Sequence, residues 1–353
     1  MPGLITDHER HPLREAVATG NTWIAESRVP EDLVRAASLL RRQAATLYEE
    51  GLRSEVLTRT IAAWNDVLVE RLLQMHQQDF EELDWCWLAL GSEGRGEQTV
   101  HTDQDNALIF LAPEPDAIRQ RLLPRLRKIN EQLDQCGYVL CPGDVMASNP
   151  RWCLSLDEWR DVFASWVDSG DPQALLHGAI FFDFRGVAGN TELANTLQEW
   201  LLDYIRERSL FLKQMAEFAV SNTPPLWPWN TLRARRDGAV ASVDVKVNGV
   251  SMFVDAARVF ALASGVSSTR TSVRMQESAR LPSECRDRDA WIAAYRSLQD
   301  LRVRHHFDCL LRGEQPSNRI PLERLNRFDR RVLVDALREA KRMQASLRLR
   351  YQL

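Results

Sequence analysis

The residues with the clearest chemical potential lie in one stretch, Gly91-Ser92-Glu93-Gly94-Arg95-Gly96-Glu97-Gln98-Thr99-Val100-His101-Thr102-Asp103-Gln104-Asp105. It joins two apolar runs, residues 85–90 and 106–111. Side chains on a strand alternate faces, so Asp103 and Asp105 are predicted to project to one side and Gln104 to the other. Two carboxylates that close repel each other unless a cation sits between them. Oxygen-only donors favour Mg²⁺ or Mn²⁺, and magnesium keeps waters and takes substrate phosphates as its remaining ligands. Upstream, Gly91 lets the backbone approach a phosphate and Ser92 adds a hydroxyl. A turn that opens a helix presents free N–H groups to an anion. The parts match metal-assisted phosphoryl or nucleotidyl transfer. A D-x-D alone is most often a turn or a cap; a Gly-Ser turn before it, between two apolar strands, sets this one apart.

Two-metal transferases usually recruit a third acidic group, often as base for the incoming hydroxyl. Asp144, at the start of a predicted strand, and Asp183, within an apolar run, are the two candidates, with Asp144 preferred. An unpaired carboxylate is expensive to bury, so Asp183 needs a partner. Arg185, two residues on, supplies it if the segment is extended. Without a third acid the domain binds nucleotide and does not turn it over. Arg95 stands between steadying the triphosphate charge and lying on the surface.

A Gly-Ser turn followed at this interval by D-x-D resembles the nucleotidyltransferase superfamily that includes DNA polymerase beta. More closely, GSEGRGEQTVHTDQDNALIF resembles the nucleotidyltransferase domain of a family of bacterial signal-transduction proteins, relatives of PII uridylyltransferase and glutamine-synthetase adenylyltransferase. The likeness extends to Cys141-Pro142-Gly143-Asp144-Val145-Met146-Ala147-Ser148-Asn149-Pro150 and to Phe181-Phe182-Asp183-Phe184-Arg185. Val243-Asp244-Val245-Lys246-Val247-Asn248-Gly249 with Asp255 resembles a lysine-glycine-aspartate motif, in which a double glycine stands where only Gly249 remains here.

The resemblance implies an α+β fold: a polymerase-beta-like mixed sheet flanked by an N-terminal helical region and a C-terminal helical bundle. It implies Gly91 and Ser92 on a nucleoside triphosphate, Asp103 and Asp105 on magnesium, and a nucleoside monophosphate moved to an acceptor hydroxyl on a protein. Lys246 stands open between a phosphate contact and a solvated strand lysine. Relatives often carry nucleotide-sensing modules in the same chain; none is evident here, which points to regulation by a separate partner. Two further readings remain: a catalytically inactive module that binds nucleotide and shifts its helical contacts, and an antitoxin-like transferase acting on a partner.

Length and composition fit this frame. The chain has 353 residues, 44% hydrophobic and 27% charged, enough for two or three globular domains. A net charge of −4 gives no general attraction to nucleic acid. No uninterrupted apolar run reaches the roughly 18 residues of a membrane span, and the N-terminus lacks a signal core. Six cysteines without a C-x-x-C pair read as reduced thiols in a cytoplasmic protein. His305, His306 and Cys309 read as part of a helix face.

Three regions must position the acidic pair. Residues 1–80 are predicted helical, with Leu33, Ala37, Leu40, Ala44 and Leu47 at helical spacing, and then Ile61, Trp64, Leu68, Leu72 and Met75. These stripes either cover the sheet or pair with another chain. Residues 81–190 are the predicted nucleotidyltransferase domain, with strands at 85–90, 105–111 and 138–148 and helices at 114–135 and 155–168. Residues 191–353 are predicted helical, with a break at Asn222–Trp229 where Trp227 and Trp229 anchor a proline-rich turn. Helices resume at 252–264, 288–312 and 320–350. The segment 319–353 holds ten basic and four acidic residues. Its predicted helix is read as a solvated face, with Asp335 pairing with Arg331 or Arg338.

Overall fold

The computed structural model describes residues 7–226, 232, 235–237, 240–278 and 282–353. Trp227 and Trp229 lie outside the described residues. The fold is α+β and 69% helical, with a small mixed sheet between helical segments. By contacts the chain divides into two compact units. The first comprises residues 1–159 and 183–197, and the second residues 160–182 and 198–353.

The first unit opens with three helices, α1 (Asp7–Ala25), α2 (Pro30–Glu49) and α3 (Ser54–Met75), which pack on one another. The apolar spacing explains why. Leu33, Ala37, Leu40, Ala44 and Leu47 are all buried along α2, and Ile61, Trp64, Leu68 and Leu72 along α3. Pro30 occupies the first turn of α2, where its missing N–H costs nothing. Gly51, at φ +86, separates α2 from α3. Ile61 and Trp64 of the α3 stripe line a small cavity with Leu40 and Ala44 of α2, and α3 as a whole also packs against Arg185–Gly189 and Pro115–Gln135.

The mixed sheet contains β1 (Asp84–Ala89), β2 (Asn106–Leu111), β3 (Cys153–Ser155) and β4 (Arg185–Gly189) in the order β3-β2-β1-β4. β1 runs antiparallel to β2, with Ala89 opposite Asn106, and antiparallel to β4; β2 and β3 are parallel. Between β1 and β2 lies a four-residue helix, α4 (Gly91–Gly94). After β2, α5 (Pro115–Gln135) buries Leu122, Leu126, Ile129 and Leu133, and Pro124 lies inside the helix. The predicted strand over 138–148 does not form. Only Val139 makes a bridge, to Asp103, and Cys141-Pro142-Gly143-Asp144 closes a turn instead. Proline and glycine in sequence favour that turn over a ladder. The third strand is the shorter β3, supported by the Trp159 indole donating to the Leu108 carbonyl at 3.0 Å.

α6 (Leu156–Ser169), α7 (Pro172–Phe181), α8 (Glu192–Arg206) and α9 (Ser209–Ser221) follow in chain order. The second unit also contains β5 (Arg235–Asp237) and β6 (Val240–Asp244), then α10 (Ser251–Ser264), α11 (Thr271–Ser278), α12 (Pro282–Leu311), β7 (Arg319–Pro321) and α13 (Arg327–Tyr351). β5, β6 and β7 form a small antiparallel sheet. The helix predicted from 320 begins only at Arg327, because Arg319–Pro321 pairs with β6 first.

Among the described residues, one helical segment, Lys246–Ser264, matches a membrane span in length and composition, and 67% of it is buried inside the protein. Asp255 and Arg258 interrupt its apolar run and pair with each other at 2.8 Å, as suits a core helix. On α13 Asp335 pairs with both Arg331 and Arg338, so the basic residues there are partly compensated locally.

The tightest approach in the first unit is at Gly94. A Cβ there would overlap the Asp183 carbonyl oxygen and sit 2.8 Å from that of Ala89. Neither is a flexible side chain that can move aside. Gly94→Ala is therefore expected to lower stability by about 2 kcal/mol or more, read as a drop in the urea midpoint; an unchanged midpoint would show that the contact is looser than described.

Candidate active site

Asp103 and Asp105 lie just before β2, on a segment held extended from both sides. The Leu90 N–H donates to the Asp105 carbonyl at 2.8 Å, the Gln104 N–H to the Val139 carbonyl at 2.8 Å, and the Asn106 N–H to the Val145 carbonyl at 3.1 Å. The alternation predicted from sequence holds here. Gln104 and Asn106 are 1% and 2% exposed, whereas Asp103 and Asp105 are half-buried.

The buried side is locked by amides. Gln104 Nε2 donates to the carbonyls of Asn130 (2.9 Å) and Tyr138 (2.8 Å). Gln104 Oε1 accepts from Asn130 Nδ2 at 2.7 Å and from Asn106 Nδ2 at 3.3 Å. Asn106 Oδ1 accepts from the Ala147 N–H at 2.9 Å and from Asn130 Nδ2 at 3.0 Å. Asn130 Oδ1 accepts from the Ser148 N–H at 3.2 Å. A buried polar network this well satisfied stabilises one arrangement of its backbone. Here it sets which way the carboxylates face. Sequence reasoning missed it, although an asparagine beside Ile129 and Leu133 on the apolar face of α5 was a visible signal.

The turn before the pair meets its steric demands with glycine. Gly91 has φ +51, a conformation that side chains disfavour, and Ser92 is half-buried. Arg95 does not lie free on the surface. Its Nη1 is 2.6 Å from Asp183 Oδ2 and its Nε 2.8 Å from Glu97 Oε2. It thereby ties the turn to the segment before β4. Asp183, fully buried, thus has a cationic partner, but that partner is Arg95 rather than Arg185. Arg185 instead reaches Asp66 of α3 at 2.6 Å and the Glu93 carbonyl at 3.1 Å.

Asp144 is exposed and adopts φ +54, a left-handed conformation that Asp tolerates better than most side chains. Its carboxylate accepts from Asn149 Nδ2 at 2.8 Å, and its carbonyl accepts from the Trp152 indole at 3.1 Å. Among the described residues the candidate metal-holding group is Asp103, Asp105 and Cys141, whose ligand atoms lie within 4.8 Å of one another. Asp144 and Asp183 are not in it. Cys141 arrives through the turn closed by the Asp144 N–H on its carbonyl (2.9 Å), which sets its Sγ 3.4 Å from Asp105 Oδ1. Burial, with the neighbouring Asp105 carboxylate, pushes the thiol up to about 11. Lys246 lies in the second unit, in a π-helical turn, Lys246–Val250, rather than on a strand.

Glu93 is the acidic group that the sequence did not single out. It is 5% exposed. Desolvation first, then the charges of Asp66, Asp105 and Asp103, lift its pKa from 4.5 to about 8 against the opposing pull of Arg185. Hard carboxylate oxygens in this grouping suit Mg²⁺ or Mn²⁺.

Family comparison accords with this geometry. Residues 38–173 match the family described as "Putative nucleotidyltransferase DUF294", and residues 209–351 match its companion, "Putative nucleotidyltransferase substrate binding domain". The chain belongs to this nucleotidyltransferase family. The first match contains Gly91, Ser92, Asp103 and Asp105, and the second contains Lys246. No curated protein matches the chain.

Two outcomes follow. Replacing Asn130 with Leu strips partners from Gln104, Asn106 and the Ser148 N–H. Each orphaned buried group costs about 1–3 kcal/mol, so Asn130→Leu is expected to lose several such increments in urea unfolding; a near-neutral result would remove the clamp. For Glu93, the folded pKa exceeds the unfolded one, so its stabilising contribution is complete below pH 4.5 and is lost as pH rises through about 8. The melting temperature of the metal-free wild type should therefore fall relative to Glu93→Gln between about pH 5 and about pH 9. Parallel curves for the two proteins would contradict the burial effect.

Proposed function

We propose that the protein transfers a nucleoside monophosphate from a nucleoside triphosphate to an acceptor hydroxyl, with Asp103 and Asp105 holding divalent magnesium (or manganese). The single observation that carries this reading is the shared orientation of the two carboxylates, backed by the amide clamp, beside a Gly-Ser turn. Bound there, the metal would neutralise the triphosphate and stabilise charge on the oxygens of the displacement. Gly91 and Ser92 would receive the phosphates through backbone and hydroxyl. Arg95 would serve the site indirectly, by fixing the turn through Asp183 and Glu97.

In this reading residues 81–190 carry the chemistry, residues 1–80 brace it, and residues 191–353 hold the acceptor. The description of the second matching domain as substrate-binding supports that division. The acceptor would be a protein, in a cytoplasmic signalling role, with regulation by a separate partner. The proposed base is Asp144, which is exposed and hydrogen-bonded to Asn149.

A second reading has its own support. Asp183 is neutralised by Arg95, and Asp144 lies outside the carboxylate–thiol group. A site with two acids and no third would bind nucleotide as a signal without turning it over.

Incubation with each α-labelled triphosphate, Mg²⁺ or Mn²⁺, and cell extract separates the two. Transfer of label to a macromolecule, reduced roughly a hundredfold or more in Asp103→Asn, is the expected result. Binding without transfer, for every nucleotide and both metals, supports the signalling module. Undiminished transfer by both Asp103→Asn and Asp105→Asn would end the metal assignment.

A further inference from the structure

Nucleotidyl transfer as proposed has no use for Cys141. Yet its Sγ, one Asp103 oxygen and one Asp105 oxygen lie within 4.8 Å of one another, with Sγ 3.4 Å from Asp105 Oδ1. Donors that share one cation at about 2.0–2.3 Å stand roughly 3–4 Å apart, so this grouping needs little adjustment to close on an ion.

The charge around this group favours a cation as well. Glu93, 5% exposed, adds a further carboxyl close by. It lies in the field of both Asp103 and Asp105. The nearby cationic side chains are committed elsewhere, Arg185 to Asp66 and Arg95 to Asp183 and Glu97. A cation bound at the pair lowers the repulsion among these carboxyls.

We propose that Asp103, Asp105 and Cys141 form a mixed oxygen–sulfur site that takes a thiophilic divalent cation of the Zn²⁺ or Cd²⁺ class, in competition with the cation of nucleotidyl transfer. The proposal rests on the transferase reading of the two aspartates and adds a means of control to it. On binding, the S–H bond breaks, a metal–sulfur bond forms and the proton leaves to solvent; no electron changes hands. Magnesium is too hard to displace a thiol proton and binds through oxygen alone, whereas zinc-class cations favour thiolate. A cation fixed by three protein ligands leaves fewer positions for a triphosphate, so its binding switches transfer off.

Cadmium is the probe, because sulfur–cadmium charge transfer absorbs in the ultraviolet. Of the other thiols, Cys285 is exposed and the rest are buried, so the full chain is used with Cys285→Ser. The expected result is a charge-transfer band saturating at one equivalent, lost in Cys141→Ser and in Cys141→Ala. Manganese binding, followed by electron paramagnetic resonance, should persist in both. Cadmium should displace manganese about tenfold less effectively from those variants than from the parent. A band undiminished by either Cys141 variant, or cadmium that binds without displacing manganese, overturns the proposal. Should the parent bind no manganese at all, the transferase reading fails instead. A cadmium band lost in both Cys141→Ser and Asp105→Asn would then still establish the mixed site.

Discussion

The first unit depends on one interaction: the buried clamp of Gln104, Asn106 and Asn130 behind the acidic strand. An extended segment with carboxylates on one side is free to slip or rotate unless the other side is held. Shifting a strand by one residue turns every side chain to the opposite face. Here the opposite face carries amides whose partners lie on α5 and in the segment 145–148. A slip would leave those buried groups unpaired, at a cost of about 1–3 kcal/mol for each. The orientation of Asp103 and Asp105 is thus enforced by groups on the opposite face.

A second layer of constraint is ionic. Three structural pairs, Arg95 with Asp183, Arg95 with Glu97 and Arg185 with Asp66, tie the turn, β4 and α3 together. These two arginines commit their charge to those partners. The field at Asp103 and Asp105 therefore stays negative and adds to the burial that chiefly raises the Glu93 pKa. In the proposed function, cation binding and the stability of this corner would be coupled by that field. Repulsion among carboxyls that share a corner is the condition that a cation relieves.

Cys141 illustrates how a turn can change a site's chemistry. Pro142 and Gly143 fold the chain back so that a thiol, rather than the Asp144 carboxylate, comes to the aspartates. Oxygen donors alone discriminate weakly among divalent ions, and a sulfur donor shifts the balance toward softer ones. A single turn thus decides whether the third donor in reach is hard or soft.

Much of this was legible in the sequence. The helical stripes of α2 and α3, the strands on either side of the glycine turn, and the common side of Asp103 and Asp105 all follow from local periodicity, because a strand alternates and a helix repeats whatever it packs against. The need of Asp183 for a partner also followed from its apolar surroundings. The identity of that partner did not, since Arg95 lies far away in sequence and reaches Asp183 only once α4 and β4 are side by side. The same holds for Asn130 behind Gln104, for Cys141 beside Asp105, and for the burial of Glu93. Each depends on which distant segments meet, and local spacing carries no record of that. The sequence by itself determined the elements and put the two acids on a common side; tertiary packing decided which way that side faces, which charges are neutralised and which donor stands third.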